Sequence, residues 1–210
     1  MISASVLADR IISVPSTGRR LIALAGPPAS GKSTLAAELV VALGSTSKLV
    51  PMDGFHLDNR LLEARGLRYR KGAPETFDLG GLLRLMPSLR SDPQVFFPVF
   101  DRKQDIAIAG AGEVDDSAKT VIIEGNYLMF DEPGWRELAE YWDACLFLDV
   151  PIETLKARLI QRWLDHGLSE SAARKKTADN DLANARRIVE QRLTLPTELD
   201  TAKNPSSFAS

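Results

Sequence analysis

The stretch LIALAGPPASGKS, residues 21–33, decides the fold of this chain. Its first five residues form a short apolar run that ends at a glycine, which predicts a buried β-strand. Residues 34–43 then place three leucines at helical spacing, and Gly44 suits the end of that helix. The stretch therefore predicts a strand, a glycine-rich turn and a helix in direct succession.

The turn, GPPASGKS at residues 26–33, matches the phosphate-loop pattern G-x-x-x-x-G-K-[ST] at every fixed position. In such a loop, glycines let the backbone approach a polyphosphate, and N–H groups at the helix start point towards it. Pro27 and Pro28 have no N–H group, so we expect the donors to come from residues 30–34. The expected nucleotide-binding residues are Gly26, Ala29, Ser30, Gly31, Lys32, Ser33 and Thr34.

Two side chains of the loop have expected roles of their own. Lys32 should reach the outer phosphates, and the Ser33 hydroxyl should bind Mg²⁺, so the predicted cofactors are ATP and Mg²⁺. The chain lacks the Asn-Lys-x-Asp motif of a signalling GTPase and the Ser-Gly-Gly-Gln signature of a transport ATPase. By elimination, a small-molecule kinase is favoured among the proteins that carry this loop.

The composition excludes several other classes of protein. The 210 residues fit one domain, and we expect it over residues 1–195, followed by a polar tail over residues 196–210. A net charge of −2 argues against a general nucleic-acid binder, and a single cysteine allows no intramolecular disulfide. Without a visible targeting or membrane segment, the expected location is cytoplasmic. The expected partner is a small-molecule substrate, without nucleic acid or membrane, and a homodimer stays open.

Apolar strand patterns alternate with helical patterns along the chain. Further strands are predicted at residues 48–52, 120–123 and 145–150, and helices at 79–90, 135–142, 152–163 and 170–193. This alternation predicts an α/β fold, a parallel sheet with helices on both faces. Residues 95–100 predict an edge strand because Pro98 has no N–H group, and a weak strand pattern falls at residues 195–199.

Two of the predicted strands end on a carboxylate, Asp53 in one case and Glu124 in the other. The carboxyl ends of parallel strands share one edge of the sheet, where ligands of open α/β sheets bind. Both side chains are therefore expected beside the phosphate loop. One carboxylate can take the proton of an attacking hydroxyl, and the other can hold Mg²⁺ through water.

Five segments together resemble the uridine kinase, pantothenate kinase and phosphoribulokinase branch of P-loop kinases. They are GPPASGKS at 26–33, MDGFH at 52–56, GAPETFD at 72–78, PVFDR at 98–102 and IEGNY at 123–127. Within the branch, the chain is most similar to proteins named as fructose-transport-system kinases. The resemblance implies a three-layer sandwich with a five-stranded parallel sheet, a hairpin near residues 95–114 and a helical lid near residues 156–178.

The same resemblance implies that Asp53 is the catalytic base and that Glu124 stands on the metal side. Arginines that follow the last strand close over ATP in this branch, and Arg158 and Arg162 share one helix face here. Their guanidinium groups are expected to neutralise charge on the transferring phosphoryl group. The hairpin segment FDRK at residues 100–103 differs from the Tyr-Asp pair of uridine kinases, which argues against uridine as the acceptor.

The acceptor is expected to contact Asp53, His56, Tyr69 and Arg102. Residues 60–71 carry five basic side chains against one acidic one, which is typical of a solvated face or of a site for an anionic acceptor. The sequence thus predicts an ATP-dependent kinase with Asp53, Lys32, Arg158 and Arg162 as catalytic residues, acting on a sugar-like hydroxyl, with a fructose-type sugar favoured. Two alternatives stay open: a nucleoside or pantothenate-type kinase, and a P-loop regulatory ATPase linked to a transporter.

Overall fold

A computed structural model describes residues 2–201 and confirms the predicted α/β class. Residues 202–210, most of the predicted polar tail, lie outside the described part of the chain. In chain order the helices and strands are α1 (Ala4–Ser13), β1 (Arg20–Ala25), α2 (Lys32–Leu43), β2 (Ser47–Pro51), α3 (Asn59–Ala64), α4 (Leu79–Ser91), β3 (Val95–Asp101), β4 (Ile106–Val114), β5 (Thr120–Gly125), β6 (Ala144–Phe147), α5 (Ile152–Asp165), α6 (Glu170–Lys176) and α7 (Leu182–Glu190).

The central sheet has four parallel strands in the order β2–β5–β1–β6. Strand β1 lies between β5 and β6, and its residues after Arg20 are all buried. Helices α1 and α2 pack on one face of the sheet, where Leu7, Ile11 and Leu39 meet Ile22. The opposite face packs against α4 and the aromatic residues near Trp135. Burial on both faces explains why the strands read as continuous apolar runs.

The expectation of five parallel strands is wrong in number. Residues 195–199 form only an isolated parallel bridge, between Glu198 and Cys145. The Cys145 N–H donates to the Thr197 carbonyl over 3.1 Å, and the Leu199 N–H donates to the Cys145 carbonyl over 2.8 Å. Pro196 has no N–H group to extend this pairing, so the contact at the β6 edge does not lengthen into a ladder.

Three other elements differ from the sequence predictions. The helix predicted at 135–142 is a 3₁₀ helix, Trp135–Tyr141. The helix predicted at 170–193 is divided into α6 and α7 by a π-helical turn, Thr177–Asp181, and ends at Glu190. Helix α1, Ala4–Ser13, which Ser3 caps at its N-terminus, was not predicted.

The segment predicted as an edge strand of the sheet, β3, pairs with β4 alone in a separate antiparallel hairpin. Its register shifts between Phe97 and Val99, on either side of Pro98, because proline cannot donate to the ladder. The hairpin that the family resemblance implied is therefore present over residues 95–114.

Within residues 2–201, no helix combines the length and the apolar character that crossing a bilayer requires.

Candidate active site

The phosphate loop joins the end of β1 to the start of α2, as the sequence predicted. Its backbone turns through left-handed conformations at Gly26 (φ 147°), Ala29 (φ 62°) and Gly31 (φ 100°). A methyl group at Gly26 would lie 2.8 Å from the Leu148 carbonyl oxygen, so glycine is required there by both conformation and space. The loop therefore bends tightly over the edge of the sheet and leaves the N-terminus of α2 facing outwards.

The Lys32 side chain lies beneath this loop and is buried. Its Nζ donates to the Pro27 carbonyl over 2.9 Å. Burial lowers the pKa of Lys32, and the carboxylates of Glu124 and Asp53 oppose that shift. The Ser30 hydroxyl is also buried and has no hydrogen-bond partner among the described residues. A buried ammonium and an unpaired hydroxyl in one loop fit the phosphate oxygens of a nucleotide.

Ser33 and Glu124, the two residues predicted to hold the metal, lie together in the structure. The Ser33 hydroxyl donates to Glu124 Oε2 over 3.4 Å, so two distant segments meet at this point. Burial raises the pKa of Glu124, with nearby Asp53 adding to the rise and Lys32 opposing it. No group of three or more His, Cys, Asp or Glu side chains suited to a metal occurs within residues 2–201. Mg²⁺ in phosphate sites takes one or two protein oxygens besides phosphates and water, so this pair fits it.

Asp53 lies just beyond β2, in a 3₁₀ turn formed by Met52–Phe55. Its Oδ2 accepts a hydrogen bond from Arg102 Nη2 over 2.6 Å, and its side chain is 25% exposed. The neighbouring Gly54 allows this contact, because a methyl group there would lie 1.9 Å from the Pro98 carbonyl oxygen. The hairpin backbone thus presses against the turn and brings Arg102 to the predicted base.

A cleft of about 760 Å³ opens over the phosphate loop. Arg158 and Arg162 of α5 line it together with Arg102. The Arg158 Nη1 donates to the Ala29 carbonyl over 3.1 Å, which ties α5 to the loop. Burial lowers the pKa of Arg162, and the charge of Arg102 adds to that effect. Arg102, predicted on the acceptor side, therefore lines the nucleotide cleft as well as touching Asp53.

His56 lies beside Asp53, as its spacing in the sequence suggested. Its Nδ1 is 2.8 Å from the Asp53 carbonyl oxygen, and its ring centroid is 4.1 Å from that of Phe77 and 4.7 Å from that of Phe100. Burial lowers the pKa of His56, which favours the neutral imidazole. These contacts hold the imidazole beside Asp53, on the wall that the sequence predicted to face the acceptor.

The structure does not bring Tyr69 to this wall. Tyr69 is 77% exposed and lines a different cavity, near helix α6. The basic residue that reaches the wall is Lys71, whose ammonium lies 4.9 Å from the centroid of Phe100. Asn180 of the π-helical turn donates to the Lys71 carbonyl over 3.2 Å. The position of Lys71, directly before GAPETFD, was the sequence signal that could have distinguished it from the rest of the basic run.

The site combines a phosphate loop that holds a buried lysine, a serine–glutamate pair, and a carboxylate at the same edge of the sheet. This combination defines a P-loop phosphotransferase. The comparison with known families agrees with this class. Residues 21–169 match the Phosphoribulokinase / Uridine kinase family, so the chain belongs to that family. It is a kinase that uses ATP with Mg²⁺ and phosphorylates an alcohol group.

Relatives cover most of the chain. YggC of Escherichia coli is 36% identical over 178 residues, which is 81% of this chain and 73% of that protein. The "Putative uridine kinase C227.14" of Schizosaccharomyces pombe is 36% identical over 195 residues, covering 85% of this chain and 81% of its own length. The crystal structure of a "putative fructose transport system kinase" from Silicibacter sp. TM1040 is 51% identical with a TM-score of 0.90, covering 95% of this chain and 100% of that one.

Proposed function

We propose that the acceptor is a sugar-like polyol, with a fructose-type sugar favoured. The observation that carries this proposal is that Phe100, an aromatic ring of the wall beside His56, is covered. Phe100 packs against His56 at 4.7 Å, and the Lys71 ammonium lies 4.9 Å from its centroid. A nucleobase needs an open aromatic face for stacking, whereas a polyol needs hydrogen-bonding groups such as those of Asp53 and Arg102. The name of the 51% identical protein from Silicibacter also favours a sugar.

In this proposal, Asp53 accepts the proton of the acceptor hydroxyl as the hydroxyl oxygen bonds to the γ-phosphorus. ATP with Mg²⁺ supplies the phosphoryl group, and the bond from the γ-phosphorus to the bridging oxygen breaks. Lys32, Arg158 and Arg162 stabilise the negative charge on the group in transfer, since all three line the cleft over the loop. Ser33 and Glu124 would hold Mg²⁺, which would neutralise charge on the phosphate oxygens, and Arg102 orients the Asp53 carboxylate through their 2.6 Å hydrogen bond.

One catalytic domain over residues 1–195 carries these groups, with residues 156–178 as a lid. Gly167, in a left-handed conformation at φ 84°, separates α5 from α6 and gives the lid its turn. Arg158 and Arg162 lie within this lid and would move with it as it closes over the nucleotide. The enzyme acts in the cytoplasm on a small molecule, without nucleic acid or membrane.

The test is ADP formation measured across a panel of acceptors at saturating ATP and Mg²⁺. Sugars and sugar-like polyols should stimulate ADP formation, and uridine, cytidine and pantothenate should not. Efficient phosphorylation of uridine or pantothenate with inert sugars would replace the proposed acceptor class. Slow ADP formation that no acceptor changes would favour a regulatory ATPase instead.

A further inference from the structure

Trp163 of helix α5 stands directly after Arg162 in the sequence and has three charged groups around its indole ring. Its Nε1 donates to Asp181 Oδ2 over 2.6 Å. The Lys176 ammonium lies 3.7 Å from the ring centroid, and the Arg162 guanidinium carbon lies 5.8 Å from it. Tryptophan is the aromatic residue that attracts cations most strongly. The ring therefore links a carboxylate to two cations with which, in the described part of the chain, that carboxylate forms no direct ion pair.

Arg162 is the arginine of the nucleotide cleft whose donors are free. Arg158 donates to the Ala29 carbonyl. Arg102 donates to Asp53. The half-buried Arg162 side chain lines the same cleft, yet within residues 2–201 it donates no hydrogen bond and forms no ion pair. Confining such a side chain to one rotamer costs free energy, so an arginine that acts on a substrate needs neighbours that fix its direction.

Asp181 is a half-buried carboxylate whose charge acts on both cations. Burial raises its pKa, while the Trp163 N–H and the charges of Arg162 and Lys176 oppose that rise. In turn, burial lowers the pKa of Arg162, and Asp181 opposes that fall more than Asp53 does. The strongest attraction that a carboxylate of the described chain exerts on Arg162 therefore comes from Asp181.

The π-helical turn Thr177–Asp181 attaches Asp181 to the body of the protein. A π-helical turn contains one residue more than an α-helical turn, and such turns are frequent at functional sites. The residue before Asp181, Asn180, donates to the Lys71 carbonyl over 3.2 Å. The Lys71 side chain is 10% exposed and forms an ion pair within the body. The turn is thus held to the body on one side, and its Asp181 is a fixed point for Trp163 of the lid.

We propose that Asp181 is a positioning residue, which acts through Trp163 to hold the Arg162 guanidinium in the cleft. The hydrogen bond from Nε1 fixes the indole ring. The face of the fixed ring and the charge of Asp181 then limit where the guanidinium can lie, so that Arg162 needs little further ordering during phosphoryl transfer. This inference rests on the proposed function, which it deepens by identifying what prepares Arg162 for the group in transfer.

Steady-state kinetics, with D-fructose or whichever acceptor the panel selects, test this role. Arg162→Ala should lower kcat by roughly 10²-fold, as the loss of a charged donor to the group in transfer does. Asp181→Ala should lower kcat by roughly tenfold and leave the KM for ATP little changed. Asp181→Asn should recover part of that loss, because the amide oxygen can still accept from Trp163 Nε1.

The double variant Arg162→Ala/Asp181→Ala separates positioning from a general structural role. If Asp181 acts through Arg162, its substitution has no further effect once Arg162 is absent, so kcat should equal that of Arg162→Ala alone. A further fall of the same size as in the wild-type background would show that the two effects are independent and would overturn the inference. A wild-type kcat in Asp181→Ala would overturn it as well.

Asp179→Ala is the matched control. Asp179 belongs to the same π-helical turn, but it is exposed and pairs with Lys175 at 2.6 Å instead of with Trp163. This variant should keep the wild-type kcat. A fall as large as that in Asp181→Ala would assign the effect to the turn as a whole and contradict the positioning role.

Tryptophan fluorescence gives a readout that needs no acceptor. Trp163→Phe defines the share of the emission that comes from Trp163. Mg²⁺ with the non-hydrolysable analogue adenylyl imidodiphosphate should change that share, because Arg162 turns from the ring towards the phosphates. The change should be largely lost in Asp181→Ala, and an unchanged response there would overturn the inference. Its loss in a protein for which no acceptor raises ADP formation would support the positioning role and count against the proposed function, so the two fail separately.

Discussion

The nucleotide cleft is built differently from the cavity near helix α6, here called the α6 cavity, which Arg68, Tyr69, Lys71 and Asn180 help to line. The cleft stands on buried parallel strands, and its lysine, serine and glycines lie within the eight residues 26–33. The α6 cavity is assembled from short helices and turns that are more than 100 residues apart in sequence, as in the bond between Asn180 and Lys71. Asp105 holds two of its cations: Arg68 in a half-exposed ion pair, and Lys71, whose side chain is 10% exposed.

This difference separates chemistry from specificity. A backbone fixed by a buried sheet holds the phosphate-binding groups in one geometry whatever the acceptor is. Exposed ion pairs contribute little stability, so half-exposed residues of the α6 cavity, such as Arg68, can rearrange at small cost. Substitutions in the cleft are therefore expected to lower the rate of phosphoryl transfer strongly. Substitutions on the acceptor side should change mainly the affinity for the acceptor.

The largest effect should come from Asp53→Asn, which keeps the shape of the side chain and removes the base. The value of kcat should fall by about 10²–10⁴-fold, while the KM for ATP changes far less. Steady-state kinetics with whichever acceptor the panel selects would measure both. Asp9→Asn, on the exposed side of α1, is the control and should leave kcat unchanged. A kcat within a few-fold of wild type would leave Asp53 as a cap or a metal-side ligand.

Lys32→Ala tests the cleft itself, and its loss of rate should be nearly as large as that of Asp53→Asn. Loss of one charged donor to the group in transfer typically costs about 10²–10³-fold in rate. The fold should survive, because the ammonium bonds only the Pro27 carbonyl among the described residues. Kinetics together with a thermal melt would separate lost chemistry from lost structure. Turnover at the wild-type rate would remove the assignment of the phosphate loop.

Glu124→Gln should act through the metal, raising the Mg²⁺ concentration needed for half-maximal rate by roughly tenfold. Because burial raises the pKa of Glu124, its carboxylate loses charge at a higher pH than an ordinary glutamate does. The Mg²⁺ requirement of the wild type should therefore increase as the pH falls through that raised pKa. The Gln variant should show a high requirement with little dependence on pH. An unchanged Mg²⁺ curve would count against Glu124 as the metal-side residue.

The smallest effect is expected from Arg102→Ala, at the boundary between the two regions. Arg102 is 55% exposed, so loss of its bond to Asp53 should raise the KM of the acceptor by only about two- to fivefold. The KM for ATP should change less. The opposite pattern would move Arg102 to the nucleotide side, whose cleft it also lines. Arg102→Lys keeps the charge and should recover part of the loss.

Local patterns predicted most of the elements that form the catalytic edge. The strand, loop and helix around residues 21–43 follow from apolar periodicity and glycine placement, and Asp53 and Glu124 follow from strand ends. The division of the last helical segment was not predictable, because the π-helical turn depends on tertiary bonds. Asp181 accepts from Trp163 Nε1 over 2.6 Å, and Asn180 reaches Lys71. The four-strand count depended likewise on whether residues 195–199 could pair beyond one bridge.

The sequence by itself determined the class of chemistry, because a phosphate loop is a contiguous segment whose glycines, lysine and serine need only a strand before it and a helix after it. Only the tertiary structure decided that Tyr69 stands away from the base while Lys71 lies over Phe100. It also placed Arg102 against Asp53 and Arg68 opposite the lid. These contacts join residues from separate elements, and their pairing depends on how the hairpin and α6 pack against the body, which no local pattern encodes.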